Sequence, residues 1–405
     1  MKILLAITTG RSNFKDTLDL LVQNFSVYGH FEGNSIGVAV NYDCSFLGLS
    51  DKNFAYSTKL SKKFSEKIYI SQKHVSKYIE FMKKRGVDED IAAILSQSTG
   101  YSNKKNLVYL EAYKRGYDIV LFWDDDEYPY VCMIDDENIS WIQTDILGAH
   151  LSAYNKYNAD VAFGFFTGYA SPIPPALNFR LSKKTAVGLG DALSVASDVV
   201  SKDTFVDINK IFIGLKREHL DIKEIEMVDG GKWVSGGNIS VSVRSVMSGI
   251  VPPFYTPPAT RADDTILSMG LARAKVMQIP AGIFHDAFGE YGGIKTGIFP
   301  SKIERSKKNN YQVQRFCSVL KGWLGYAPIF LRIKSQRLFR VNVKKMLKKI
   351  LIIDNALSCE LPELKKIFNK QKASSVFNGF VVRVERDYII MQKSYEEWKK
   401  ISKVE

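Results

Sequence analysis

Three consecutive carboxylates, Asp124-Asp125-Asp126, stand directly after the apolar run Ile119-Val120-Leu121-Phe122-Trp123. Adjacent carboxylates repel one another, and a nearby cation offsets that repulsion. In an extended or turning backbone, Asp124 and Asp126 can present oxygens to one side, an arrangement suited to Mg2+ or Mn2+. Such an ion would bridge the phosphates of a bound nucleotide and hold the charge that develops as a diphosphate leaves. The competing reading is a solvated acidic turn, which is also the simplest account of Asp135-Asp136-Glu137.

A second acidic pair, Asp263-Asp264, precedes Thr265-Ile266-Leu267-Ser268-Met269, a helix-like run. Carboxylates at a helix start satisfy free N–H groups, and one so held is also rigid enough to take a proton from a hydroxyl. Gly236 and Gly237 permit positive φ and close backbone approach to a ligand, with the Asn238 amide beside them; a tight turn between strands explains them equally. Trp233 and Tyr255 suit either a sugar-stacking platform or a core position, and Asp43 either a base or ribose contact or an ordinary turn. His285 follows an apolar strand over 279–284 and precedes Asp286. Its imidazole suits Mn2+ better than Mg2+, against the alternative of a satisfied surface histidine. His30, His74, His150 and His219 lack companions at metal-site spacing and receive no role.

The elements that must hold these groups alternate strand and helix, which predicts an α/β fold with a mainly parallel central sheet. Strands are expected over 3–7, 36–40, 67–71, 118–123 and 161–166, and helices over 103–115 and after Ser12 or Asn13, with Leu18, Leu21, Val22 and Phe25 as an apolar stripe. The stretch 183–213 resists typing and reads as an insertion over the sheet. Beyond about residue 299 the sequence becomes basic and helical, and a strand hairpin is expected within 376–391.

At 405 residues the chain exceeds the size at which one core usually stops growing, so two units are expected. Hydrophobic residues at 45% and charged ones at 24% exclude wholesale disorder. The net charge of +13 favours polyanions or anionic membrane surfaces. Four scattered cysteines without a CxxC pair argue against a zinc knuckle or disulfide framework and point to a reducing cytosol. No signal peptide or spanning segment is evident, since the opening apolar run is far too short.

Taken in order, several of these segments resemble a glycosyltransferase of the GT-A type, closest to the inverting family-two group. The opening strand with Thr8-Thr9-Gly10-Arg11 resembles that family's first nucleotide-contacting loop. Gly100-Tyr101-Ser102-Asn103-Lys104-Lys105-Asn106-Leu107 followed by Phe122-Trp123-Asp124-Asp125-Asp126 resembles its "G…RN…A…G…DxD" run. Trp233-Val234-Ser235-Gly236-Gly237-Asn238 resembles the "GGN" element, and Arg261-Ala262-Asp263-Asp264-Thr265 the "R-x-E/D-D" element. Lys105 stands where the family usually has Arg, and Asp263 where it usually has Glu; both keep the charge.

The resemblance covers about the first three hundred residues and implies a Rossmann-like catalytic domain over 1–298, with a donor-binding part to about 127, an acceptor-side part over 128–298, and a basic helical region over 299–405. It implies metal-dependent, inverting transfer from a UDP- or GDP-sugar to a glycan or glycolipid hydroxyl, as in polysaccharide biosynthesis. Asp264 would be the base, with Asp263 as substitute. Donor contacts would come from Thr8, Thr9, Gly10, Arg11, Asp43, Lys105, Asn106, Asp124 and Asp125. Acceptor or sugar contacts would come from Trp233, Gly236, Gly237 and Asn238, and metal ligands (Mn2+ or Mg2+) from Asp124, Asp126 and His285. A nucleotidyltransferase of similar fold is the enzymatic alternative, though residues 8–11 supply little of the glycine-rich, lysine-bearing loop it needs. A non-catalytic carbohydrate- or membrane-binding scaffold is the other.

The stretch 332–349 holds eight Lys or Arg and no acid, with Phe339, Val343, Met346, Leu347 and Ile350 at helical spacing. It reads as a helix lying on an anionic inner leaflet, or as one packed on the catalytic domain with a solvated basic face. No nucleic-acid motif accompanies it, so no nucleic-acid partner is expected; the protein is expected in the cytoplasm, with a peripheral place on the inner leaflet as one of these two readings.

Overall fold

The computed structural model describes residues 1–402 apart from 98–101, 136–137, 198–199, 208–211, 216–220 and 303–309. Gly100, Tyr101, Asp136, Glu137 and His219, named above, therefore lie outside the described residues.

Strand β1 (Lys2–Thr9) pairs in parallel with β2 (Ser35–Tyr42), which pairs in parallel with β3 (Lys67–Ile70). On its other side β1 pairs in parallel with β4 (Ile119–Trp123). Every residue of β4 is buried, as continuous apolar strands covered on both faces should be. Two-residue β5 (Glu127–Tyr128) follows, then the hairpin of β6 (Val131–Asp135) and β7 (Asn138–Ile142) in a sheet of its own. The long β8 (Val161–Tyr169) carries short β9 (Phe212–Ile213) near its end, and β10 (Lys223–Glu224) closes the sheet edge.

Past β4 the sheet direction alternates once. Strand β11 (Ile239–Ser242) runs antiparallel between β4 and β8, and β12 (Val276–His285) runs parallel to β8. Consequently β1, β2, β4, β8 and β12 all point the same way. The residues after Thr9, Tyr42, Trp123 and His285 emerge at one edge, and the residues before Ile239 meet them there. In open α/β sheets that carboxyl edge is where ligands bind. The β8–β12 register breaks between Gln278 and Gly282, where Pro280 has no N–H to donate.

Helix α1 (Phe14–Val27) buries the expected stripe Leu18, Leu21, Val22 and Phe25; Asn13 precedes it without a side-chain cap bond. Helices α2 (Val75–Lys83), α3 (Glu89–Leu95), α4 (Ser102–Lys114) and α5 (Ile146–Tyr157) follow. The untyped stretch supplies α6 (Lys183–Leu193), and α7 (Val243–Met247) and α8 (Asp263–Gly270) flank the last long strand. The remainder is helical: α9 (Asn310–Lys334), α10 (Phe339–Glu360) and α11 (Ala373–Trp398).

The expected hairpin within 376–391 is instead part of α11. Val376, Phe377, Val384 and Met391 are among its buried residues, at helical spacing. Packing on α9 and α10 overrides the local β-branched alternation at 381–384. Of the basic stretch's apolar stripe, Val343, Met346 and Ile350 are buried against the protein body, and Arg332 is buried against Glu385 at 2.9 Å. At the chain's end, Trp398 is fully buried in the sheet body's core and donates its Nε1–H to the Val246 carbonyl at 3.1 Å.

A buried polar chain ties α5 to the sheet. The Tyr154 hydroxyl donates to Ser240 Oγ (3.0 Å), and Ser240 Oγ lies 2.7 Å from His150 Nδ1. His150 Nε2 is 3.0 Å from Asn238 Oδ1, and Asn238 Nδ2 donates to the Ala281 carbonyl at 2.8 Å. Those partners assign the His150 proton to Nε2. Burial pushes this imidazole from 6.5 down to about 4, although the Asn238 bond favours its charged form. The unfolded chain takes up a proton near pH 6.5 that the folded chain refuses until about pH 4. The resulting stabilisation is complete above pH 6.5 and is lost as the pH falls toward 4. Urea titrations across that window should show a loss of about 3 kcal/mol attributable to this site. His150→Gln should flatten the slope, and an unchanged slope would contradict the assignment.

Candidate active site

A cavity of about 1330 Å³ opens at the carboxyl edge, larger than the usual few hundred to ~1,000 Å³ of a single-ligand site. Residues 8–11, 124–127, 233–237 and 261–265 reach it from the sheet body. His285 lines it too, and Tyr311, Gln314 and Arg315 enter from α9.

The three aspartates all line the cavity but make different contacts. The Glu127 N–H donates to the Asp124 carbonyl at 3.3 Å, so the chain turns immediately after β4 instead of continuing extended. The Asp124 N–H donates to Glu127 Oε2 at 3.2 Å. Asp125 Oδ1 receives Arg11 Nη1 at 2.7 Å, its Oδ2 accepts the Thr9 hydroxyl, and its carbonyl accepts the Thr17 hydroxyl at 3.0 Å. Burial, reinforced by the Asp126 charge, raises the Asp125 carboxyl to about 6 against Arg11 and Thr9. Asp126 Oδ2 lies 3.3 Å from both Arg11 and Arg315. Burial opposes its charge, yet His285, Arg11 and Arg315 together hold it down at about 2.

His285 reaches Asp126 through strand pairing. β12 runs antiparallel to β5 with His285 opposite Glu127, and the Asp286 N–H donates to the Asp126 carbonyl at 2.8 Å. His285 Nδ1 lies 2.6 Å from the Tyr169 carbonyl, which turns Nε2 toward Asp126 Oδ1, 3.8 Å away. That gap exceeds a direct hydrogen bond and is wide enough for a cation bound to both atoms. Asp126 and His285 thus fit a minimal Mg2+ or Mn2+ site completed by phosphate oxygens and water. Among the described residues no three His, Cys, Asp or Glu side chains gather at metal-holding distance.

On the opposite wall, Lys105 is almost fully buried, pairs with Asp263 Oδ2 at 3.0 Å and donates to the Gly236 carbonyl at 3.1 Å. Burial works against its charge, but Asp263 and Asp124 raise its pKa overall. Asp264 sits in the first turn of α8, with Oδ1 accepting the Thr265 N–H at 2.8 Å. The residue before that helix, Ala262, takes φ 72. The glycines serve proximity: a Cβ on Gly236 would lie 3.3 Å from Asp264 Oδ2, and one on Gly237 only 1.8 Å from Glu127 Oε1. The positive φ expected of the glycines falls on Asn238, at 45°.

Glu127 was not singled out by the sequence. Burial, then the Asp124 charge, pushes its carboxyl well above the usual range. On the β2 side, Asp43 pairs with Lys104 at 2.8 Å, and burial of Asp43 is outweighed by Lys104 and Ser45, lowering its pKa. Exposed Phe46 leans on Gly10, where a Cβ would fall 2.7 Å from its ring. Thr8 lines the cavity with its hydroxyl buried and unpaired. Trp233 also lines it, half-buried, with its Nε1–H on the Val228 carbonyl at 3.2 Å.

Three expected contacts do not reach the cavity. The Asn106 amide bonds the Leu95 and Phe254 carbonyls and accepts the Phe254 N–H, clamping the backbone. Asn238 is committed to His150 and Ala281, and Tyr255 is buried with its hydroxyl on the Asp387 carbonyl. Two arginines take their place. Arg315 carried no local signal beyond a polar stripe at 311, 314, 315 and 318. Arg261, visible as part of a motif, lines the cavity with no ion pair or hydrogen bond among the described residues. Burial and the facing Arg315 both press its pKa down.

No protein-family model matches the chain, and no curated protein matches it in sequence. Among solved structures it is similar to S. aureus TarS 1-349, at 12% identity and TM-score 0.40, covering 100% of this chain and 90% of that one. The same protein in complex with UDP-GlcNAc gives 11%, 0.41, 100% and 91%, and in complex with UDP 12%, 0.40, 100% and 90%. With TM-scores below 0.5, functional interpretation rests on the cavity's own residues.

The pairing separates the two candidate bases. Asp263→Asn should leave Lys105 buried without its counter-ion and cost about 3–5 kcal/mol by chemical denaturation. A loss below ~1 kcal/mol would mean that Asp263 is not the structural partner.

Proposed function

We propose that this protein is a glycosyltransferase that moves a sugar from a nucleoside-diphosphate donor to an acceptor hydroxyl, with inversion. The observation that carries the reading is the meeting, in one cavity, of a cationic wall (Arg11, Arg261, Arg315) and a carboxylate wall at Asp264. These come from three separate stretches of sequence, residues 8–11, residues 261–265 and α9. A diphosphate needs the first wall and an incoming hydroxyl the second.

Residues 8–11, with Asp43 and Phe46, would hold the nucleoside, and the guanidiniums would receive the diphosphate in bidentate, charge-assisted hydrogen bonds. Arg11 and Arg315 are already oriented by Asp125 and Asp126. A divalent ion bound by Asp126 and His285 would act as a Lewis acid toward the diphosphate oxygens. Asp264 accepts the hydroxyl proton as the acceptor oxygen forms its bond to the anomeric carbon. The bond from that carbon to the phosphate oxygen breaks, and the nucleoside diphosphate leaves with the electron pair. Asp263, neutralised by Lys105, is the poorer base. Trp233 offers a face for the sugar ring. The cavity's size leaves room for a glycan or lipid-linked glycan acceptor beside the donor.

Asp264→Asn should leave nucleotide binding within about twofold while lowering transfer by ~10²-fold or more, the scale of a lost general base. Turnover assays with UDP- and GDP-sugars in Mn2+ measure this, and retained turnover would move the base elsewhere.

A further inference from the structure

Helix α10 spends its expected apolar stripe inward: Val343, Met346, Ile350, Ile353 and Leu357 are buried. Its outward face is a second stripe that periodicity alone did not single out. Val341, Leu351 and Ile352 stand 61%, 57% and 68% exposed, interleaved with exposed Lys344, Lys345 and Lys348. These six positions recur at the three- and four-residue intervals of one helical face.

No acid relieves this face. Asp354 is buried and accepts the Ser374 N–H at 3.2 Å, and Glu360 accepts from Ser182 and Thr185. Lys349, by contrast, is spent on Asp191 at 2.6 Å. Lys344, Lys345 and Lys348 make no ion pair or hydrogen bond among the described residues. No helix among the described residues is long and apolar enough to cross a membrane, so any lipid contact they make is at the surface.

We propose that the outward face of α10 docks on an anionic lipid leaflet. Charge complementarity selects the partner's sign, and the three bare aliphatic side chains select its kind. A nucleic acid offers phosphates but no apolar phase for Val341, Leu351 and Ile352. A leaflet offers both: the aliphatics enter the headgroup boundary while the lysine stems spread and keep their ammonium groups at the phosphates. The helix lies flat, 22 residues long, or roughly 33 Å. The proposal stands apart from the glycosyl-transfer reading, since none of these residues lines the cavity.

The test is co-sedimentation of the full chain with phosphatidylcholine vesicles, with and without phosphatidylglycerol, at low and physiological salt. Wild type should pellet only with phosphatidylglycerol and less at higher salt. Lys344→Glu/Lys345→Glu/Lys348→Glu should lower partitioning about 100-fold or more, given about fivefold per surface cation. Val341→Ser/Leu351→Ser/Ile352→Ser should also bind more weakly. All six sites are exposed, so thermal melts of both variants should match wild type. Failure of wild type to pellet, or wild-type pelleting by the charge-reversed variant, overturns the proposal. So does tight binding of duplex DNA undiminished in the serine variant, which would mark a general polyanion surface. Dimerisation by light scattering, lost on charge reversal, would assign the face to a second copy and overturn it too.

Discussion

Everything at this site follows from placing three successive carboxylates at the buried tip of a central strand. In water they would be unremarkable; against a low-dielectric sheet edge their mutual repulsion must be offset. The offset comes from opposite ends of the chain. Arg11 follows the first strand, and Arg315 projects from a helix some three hundred residues later; both reach Asp126 at 3.3 Å. Asp125 and Asp126, neighbours in sequence, consequently titrate in opposite directions, about 6 and about 2. A site so balanced holds its guanidiniums pointed into the cavity before any anion arrives.

The same balance assigns work to the glycines and the buried ammonium. Gly237 is small enough to admit Glu127, whose carboxyl caps the turn behind Asp124. Lys105, buried under the Gly236 carbonyl, ties the α8 start to the Gly236 backbone through Asp263. Asp263 is the carboxylate of the pair that Lys105 bonds directly, while Asp264 Oδ1 accepts the Thr265 N–H. The two walls of the cavity are therefore one connected network, running from β1 through the turn after β4 to α8.

Much of this was legible beforehand. Continuous apolar runs ending in Thr8-Thr9 and Asp124 marked buried parallel strands, and parallel strands share a carboxyl edge, so the edge that opens into the cavity followed from pattern alone. What was not legible depended on three-dimensional closure. That the acidic run turns at once instead of continuing extended was not readable from alternation. Asn106 and Asn238 sat inside plausible motifs yet serve the backbone, because a buried amide next to free carbonyls is used locally. Arg315 lay in a helix whose inward polar stripe has meaning only once the helix crosses the cavity. The 381–384 alternation misled for the same reason in reverse, since packing on two helices outweighed local preference.

The central claim is that the guanidiniums which neutralise the aspartates are the groups that receive a nucleoside diphosphate. Calorimetric titration of the full chain with UDP and with GDP, in Mn2+, tests it most directly, comparing wild type with Arg315→Gln. Saturable binding of at least one nucleotide, weakened about tenfold or more in the variant, is the result expected of a lost charge-assisted contact. Binding of neither nucleotide, or equal affinity in both proteins, would contradict the account.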